Sequence, residues 1–396
     1  MATTTVRLPR WRTRASTGQV TVTELFFDLV FVFVVTQATH EVEAHPGWAG
    51  LGHALLPLVV VWWMFLAFTW LTNAVRPDAA VTRMLLTLAM MAFFIIGLDL
   101  PYAFEPSGWA FPVAYLAVVA IHVALFLTAS EPSARRGILR VVPFNAMAGL
   151  IVLLAPHLPG SWSWAAWVFV VLMLYLPSAL SRVRRGFVLE AHHFVERHGL
   201  IILLVLGESI VAIGIGAGGD PVDGRLAAGV ALGIALVTAV WWVYFDGDEE
   251  RAVDALSNVA EDRRLPMAYN AFVFGHVTMV IGIILIAAGI TDAIHHLDSS
   301  TDRWWLGCGT AVFLAGHAIH RFSLGTGRIS DRLIGAVVAI PLGAVTAGAG
   351  WLALLALSLV LAVIGALDHR LNERGLDAAG GEPSAPDSGS VSTPTP

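Results

Sequence analysis

Two carboxylates, Glu24 and Asp28, stand one helical turn apart in a run where every other position from Leu25 to Val35 is apolar. At 100° per residue they share one helix face, and Thr36, Thr39 and His40 continue near that stripe, with Gln37 beside them. Acids at this spacing can gather a cation or pass a proton, and a polar stripe can lead either through an apolar helix. The plainer reading is a helix start. Acids in a first turn complement the macrodipole, and Thr23 ahead of them fits an N-terminal cap. Asp28 lies a turn deeper among phenylalanines, where that reading weakens.

A second constellation occupies the stretch EAHHFVERHGLIILLVLGESIVAIG, 190–214. His193, Arg197 and Glu208 share a face, because Glu208 follows Arg197 by about three turns. Glu208 and Ser209 fall deep in an apolar run, where a charge costs about 2.5–3.5 kcal/mol on insertion scales. Glu208 is expected to face the protein interior, against the first span or the histidine-bearing helices. It serves there either a path for ions or protons, or as a hydrogen-bonding carboxylate that holds helices together. Glu196, Arg197 and His198 form either a structural ion pair at the rim or a gate.

His122, His317 and His320 are further candidates. His317 and His320 are half a metal site at most, since no complete ligand set accompanies them. Hydrogen-bonded core histidines or a proton relay are the other readings, and no metal or cofactor is expected. No nucleotide loop, Ser-His-Asp order, His-Glu-x-x-His or CxxC pair occurs, so no residue is assigned a catalytic role. The single cysteine, Cys308, excludes a disulfide framework.

The elements that carry these residues follow from composition. The chain has 396 residues, 57% hydrophobic and 13% charged, with mean hydropathy +0.74. Soluble domains carry about 25% charge, so lipid must be the solvent here. Twelve segments approach the roughly 20 apolar residues of a span: 24–43, 51–73, 79–98, 109–129, 139–156, 162–180, 195–216, 226–245, 267–290, 304–322, 332–346 and 350–367. They do not alternate as barrel strands would, and helices satisfy their own backbone in lipid. The first run is span-length without a small-residue cleavage site, and so reads as an uncleaved insertion signal.

All 23 basic residues are arginine. With twelve spans, all but Arg225 and Arg303 fall on one side, which places both termini in the cytoplasm by the positive-inside rule. Three matches recur in order along the chain: Glu24 with Glu196, Trp62-Trp63 with Trp241-Trp242, and His122 with His320. They predict two parallel six-span repeats, 21–186 and 187–374, a plan known among transporters. Residues 1–20 form a basic arm suited to anionic headgroups. Residues 375–396 are too poor in apolar groups to fold.

ELFFDLVFVFVVTQATH together with HHFVERHGLIILLVLGESIVAIG resembles the bacterial low-temperature-requirement A (LtrA) family over about 20–370. The resemblance implies a polytopic membrane protein from a family named for growth in the cold. It marks Glu24, Asp28, Gln37, His40, His193, Glu196, Arg197, Glu208 and Ser209 as characteristic polar positions. The first span is also similar in pattern to the first helix of endolysosomal-type potassium channels. Phe27 stands where those have serine, and the second half lacks the matching aspartate. The expectation is an all-α, multi-pass inner-membrane protein of a bacterium that moves an ion or small solute, with protons as one candidate coupling ion. A lipid-acting membrane enzyme and a non-catalytic membrane organiser are the rivals. The bilayer is the expected partner, and no nucleic acid is.

Overall fold

Thr21 opens the first helix through a capping box. Its hydroxyl accepts the Glu24 N–H at 3.3 Å, and the Glu24 carboxylate accepts the Thr21 N–H at 2.8 Å. The helix therefore begins before Thr23, and Glu24 completes its start from inside the first turn. In the computed structural model the described residues are 20–74, 80–129, 132–180, 189–219, 221–299 and 305–380. The basic arm and most of the predicted tail lie outside them.

Among the described residues the chain is all-helical, without strands. The helices are α1 (Val22–Ala44), α2 (Trp48–Ala74), α3 (Ala80–Asp99), α4 (Ala110–Ala129), α5 (Pro132–Leu154), α6 (Ser161–Leu180) and α7 (Ala191–Gly216). After them come α8 (Gly224–Phe245), the short α9 (Asp248–Asn258) and α10 (Glu261–Tyr269), then a π-turn, Asn270–Gly275. The series ends with α11 (His276–His295), α12 (Trp305–Leu324), α13 (Ser330–Thr346) and α14 (Gly350–Gly380). Eleven of the twelve apolar segments fall on single helices, whereas the ninth, 267–290, runs from the end of α10 through the π-turn into α11, and α14 continues into the first residues of the predicted tail.

Among the described residues, eight helical segments are long and apolar enough to cross a membrane: α1, α2, α3, α4, α7, α8 with α9, α10 with α11, and α14. Val141–His157 and Ser161–Pro177 are apolar but shorter. α12 carries His317, His320 and Arg321 on its buried side, and α13 has 17 residues. Neither is among the helices long and apolar enough to cross by that measure.

α1 packs on α2, α3, α7 and α11, and α7 packs on α8 and α11. The other helices follow in sequence, α3 to α6 and α11 to α14, with α6 returning to α2 and α14 returning to α8. An aromatic layer surrounds the middle of α1. Phe31 stacks on Phe65 at 4.2 Å and Phe27 on Phe68 at 5.1 Å, while Trp62 meets Phe31 at 5.5 Å. Trp63 donates to Asn145 Oδ1 at 2.9 Å.

The tightest packing joins α11 and α12. A Cβ on Gly282 would sit 2.4 Å from the Phe313 nitrogen, and one on Gly309 would sit 2.6 Å from the Ile286 nitrogen. Backbone thus lies directly on backbone. Small residues at helix interfaces serve this purpose in lipid, where apolar side chains gain little by leaving the tails.

Candidate functional site

The polar residues of α1 meet those of α7 at two levels. Glu24 faces His193, Asp28 faces Arg197, and Thr36 faces Glu208. Residue numbers rise together on both helices, so α1 and α7 run parallel, with their N-termini on the same side.

The lower level is almost sealed: Glu24, Asp28, His193 and Arg197 are each at most 1% exposed. Arg197 Nη2 donates to Asp28 Oδ1 at 2.8 Å, its Nε lies 3.3 Å from both carboxylate oxygens, and Nη1 lies 3.6 Å from Glu24 Oε1. Nη1 also donates to the Thr72 hydroxyl of α2, and the Phe27 ring centroid lies 5.9 Å from the guanidinium. Burial of an ion pair is repaid only when its remaining donors and acceptors are also satisfied, and Arg197 spreads its donors over α1 and α2. His193 Nε2 lies 3.2 Å and 3.3 Å from the two Glu24 oxygens, and its Nδ1 lies 3.2 Å from Asn73 Nδ2. Asn73 binds Glu190, the N-cap of α7, through both its side-chain amide groups. Glu196 sits at the rim, half-buried, and accepts the Val20 N–H at 3.3 Å.

At the upper level the Thr36 hydroxyl donates to Glu208 Oε2 at 2.6 Å, and Glu208 is buried. Ser209 is buried, and among the described residues its hydroxyl has no hydrogen-bond partner. Gln37 is half-buried; His40 is exposed and lies 3.5 Å from Glu43. The aromatic layer of Phe27, Phe31 and Trp62 flanks the seam on the side of α2 and α3.

The remaining sequence candidates lie elsewhere. His122 of α4 is a core histidine. Its Nε2 lies 3.1 Å from the Ala67 carbonyl, and its ring packs on Phe68 and Phe126. It borders a cavity of about 100 Å3 with Trp63, Asn145 and Tyr269. His320 belongs to a buried row of imidazoles, His198, His276, His320 and His317, with ring centroids 5.3, 5.1 and 6.3 Å apart in that order. The π-turn positions this row, because the Ala271 carbonyl lies 3.3 Å from His276 Nδ1 and 3.4 Å from His320 Nδ1. Among the described residues no group of three or more His, Cys, Asp or Glu is arranged to hold a metal.

The row ends in an ion-pair network with no counterpart in the sequence reading. Asp248 of α9 accepts from Arg321 Nε at 2.8 Å and pairs with His317 Nε2 at 2.6 Å. Arg321 grips Asp368 of α14 through both nitrogens, at 2.6 and 3.2 Å, and Arg332 binds Asp368 and Asp331. Arg321 and Arg332 read in the sequence as rim charges; both are buried. His276, Asp368, Thr72 and Asn73 also escaped notice. A polar residue at a helix end looks the same in sequence whether it meets water or a distant carboxylate.

The arrangement gives one seam two buried carboxylate stations, the lower held by Arg197 and His193, the upper by a hydroxyl alone. Such stations can take a cation or a proton in exchange for a hydrogen bond. Compared with known proteins, residues 19–367 match the family model of the bacterial low temperature requirement A protein (LtrA). A protein of Rhizobium meliloti (strain 1021), described as uncharacterized, is 25% identical over 305 residues, covering 72% of this chain and 73% of its own.

Proposed function

Since the chain belongs to the bacterial low temperature requirement A (LtrA) family, we propose that it is a multi-pass inner-membrane protein that moves an ion or small solute along the seam of α1 and α7. The observation that carries this reading is the pair of buried carboxylate levels on one parallel helix pair, Asp28 with Glu24 below and Glu208 above. Ionisable groups inside a membrane segment are costly, and they mark pathways or relays by default.

The same reading takes the architecture as twelve spans in two six-helix repeats. The neighbour pattern supports it. In one half α1 packs on α2 and α3, the chain runs on through α6, and α6 returns to α2; in the other, α7 packs on α8 and α11, and α14 returns to α8. Thr36 and Glu208 are 172 residues apart, the same separation as the repeat partners Glu24 and Glu196. Two parallel repeats about an axis along the membrane normal bring equivalent residues together where they approach that axis. Parallel α1 and α7 also require an odd number of crossings between them, and α2 to α6 supply five on this reading. With the arginines inside, both termini are cytoplasmic.

Glu208 provides the test. In reconstituted vesicles, screened across monovalent and divalent cations and protons, the parent protein is expected to give flux for at least one ion. Glu208→Gln keeps the volume and the Thr36 contact, so its melting temperature is expected to stay near the parent's. Its flux should fall about tenfold or more, equivalent to at least ~1.4 kcal/mol of barrier. Glu208→Gln at parental flux makes this residue a helix-holding group and removes the upper station from the path. Absence of flux for every ion tried overturns transport altogether.

A further inference from the structure

We infer that the ligand of the lower station is a proton, taken up at Nδ1 of His193, and that Asn73 couples its arrival to the junction of α2 and α7. The inference rests on the reading of the α1–α7 seam as a path.

Asn73 is what makes the protonation state legible. Its Oδ1 accepts the Glu190 N–H at 3.0 Å, and its Nδ2 donates to the Glu190 carbonyl at 3.1 Å. A backbone N–H can only donate and a backbone carbonyl can only accept, so the amide cannot be flipped. The group facing His193 is therefore the NH2. At 3.2 Å it donates, and His193 Nδ1 must be the acceptor. The ring proton then sits on Nε2, pointing at the Glu24 carboxylate 3.2 Å away. His193 is neutral in this conformation, and its one basic atom is occupied by a hydrogen bond from α2.

A second proton can go only to Nδ1, where it would confront the Asn73 NH2 donor to donor. Asn73 must then turn or withdraw, releasing its pair of bonds to Glu190. Glu190 is the N-cap of α7, and its carboxylate accepts the His193 N–H at 2.7 Å. A proton arriving at one imidazole thus unfastens the end of α2 from the start of α7. Glu24 and Asp28 face His193 from α1 and Glu190 from its own helix, and these carboxylates favour a transient positive ring, while Arg197 and His198 of α7 oppose one. The α2 neighbours Asn73 and Thr72 carry no charge, and Glu249 of α9 lies farther along α7, beside Gly199. Histidine is the residue whose proton exchanges most readily near neutral pH.

The test reads the ring nitrogens directly, in the full-length protein 15N-labelled at histidine and embedded in bilayers, with His193→Gln used to assign the signal. At neutral pH the parent is expected to show a bare Nδ1 and a protonated Nε2. On acidification, protonation of Nδ1 and a shift of the Glu190 backbone amide are expected to occur together. Asn73→Asp replaces the donor by an acceptor and should leave both nitrogens of His193 protonated at neutral pH. Asn73→Ala should free Nδ1 without its titration reaching the Glu190 amide. A parent His193 with Nδ1 already protonated at neutral pH overturns the inference, as does an Asn73→Asp ring that keeps Nδ1 bare. Protonation of Nδ1 with the Glu190 amide unmoved does the same. Flux is measured separately in vesicles. Ring signals as expected with no flux sustain the proton site and sink the transport reading.

Discussion

Arg197→Leu is expected to destabilise the protein by about 3–5 kcal/mol, the usual cost of stranding a buried charge by removing its partner. Asp28 is fully buried, and Arg197 supplies its only ion pair among the described residues. Glu24 and Thr72 lose a donor in the same step. The measurement is thermal unfolding of the purified protein in one detergent, together with the yield of monodisperse material. The double variant Asp28→Asn/Arg197→Gln replaces the ion pair by a neutral amide pair and is expected to recover most of the loss. If the single variant melts within a degree or two of the parent, Asp28 is not held as a charge by Arg197, and the lower station has been misread. If the single variant falls and the double does not recover, Arg197 acts through Thr72 and Glu24 more than through Asp28.

The second large effect concerns packing. Gly282→Leu is expected to separate α11 from α12, because even its Cβ would lie 2.4 Å from the Phe313 backbone nitrogen and no side-chain rotation relieves a clash with backbone. Overpacking costs about 1–3 kcal/mol when neighbours can shift, and here the upper end or beyond is expected. The damage should reach the histidine row, since Gly275, the last residue of the π-turn that leads into α11, lies so close to α12 that a Cβ there would sit 3.1 Å from the His320 Cβ. Gly214→Leu is the control. A Cβ there meets nothing within 4 Å and the residue is exposed, so its melting temperature should match the parent's. Equal behaviour of the two leucine variants would refute close contact between α11 and α12.

The helices were legible because apolar runs are a one-dimensional signal, though the segment 267–290 is broken by the π-turn between α10 and α11. The seam was half legible. Glu24, Asp28, His193, Arg197 and Glu208 announce themselves as charges in an apolar setting, and helical spacing puts them on coherent faces. Their pairing is not in the sequence, since 169 residues separate Asp28 from Arg197. Asn73 and Thr72 were missed because polar residues at the end of α2 read as a loop approaching. Arg321 and Arg332 were read as rim arginines for a related reason: charge near the end of an apolar run fits the positive-inside rule whether the side chain reaches water or folds back. His122 and His320, matched from a local likeness, stand in different surroundings, one ring between two phenylalanines and the other in a row of four imidazoles. The capping box was displaced by two residues because Thr21 and Thr23 compete for the same role, and only Thr21 is three residues ahead of Glu24.

The two stations on α1 constrain chain length as well as side-chain identity. Asp28 and Thr36 must both point at α7, and helix geometry ties their directions together through the residues between them. One residue inserted or deleted there turns everything beyond it by about 100° and shifts it by about 1.5 Å. Thr36 would leave Glu208 for the face now occupied by lipid or by α3, while Asp28 stayed with Arg197. Substitutions in 29–35 change only packing, but an insertion or deletion disconnects one level from the other. The same holds on α7 between Arg197 and Glu208. Length variation in a protein built this way is therefore confined to the connections between helices, and a single-residue insertion scan through α1 should show a sharp boundary at its two ends.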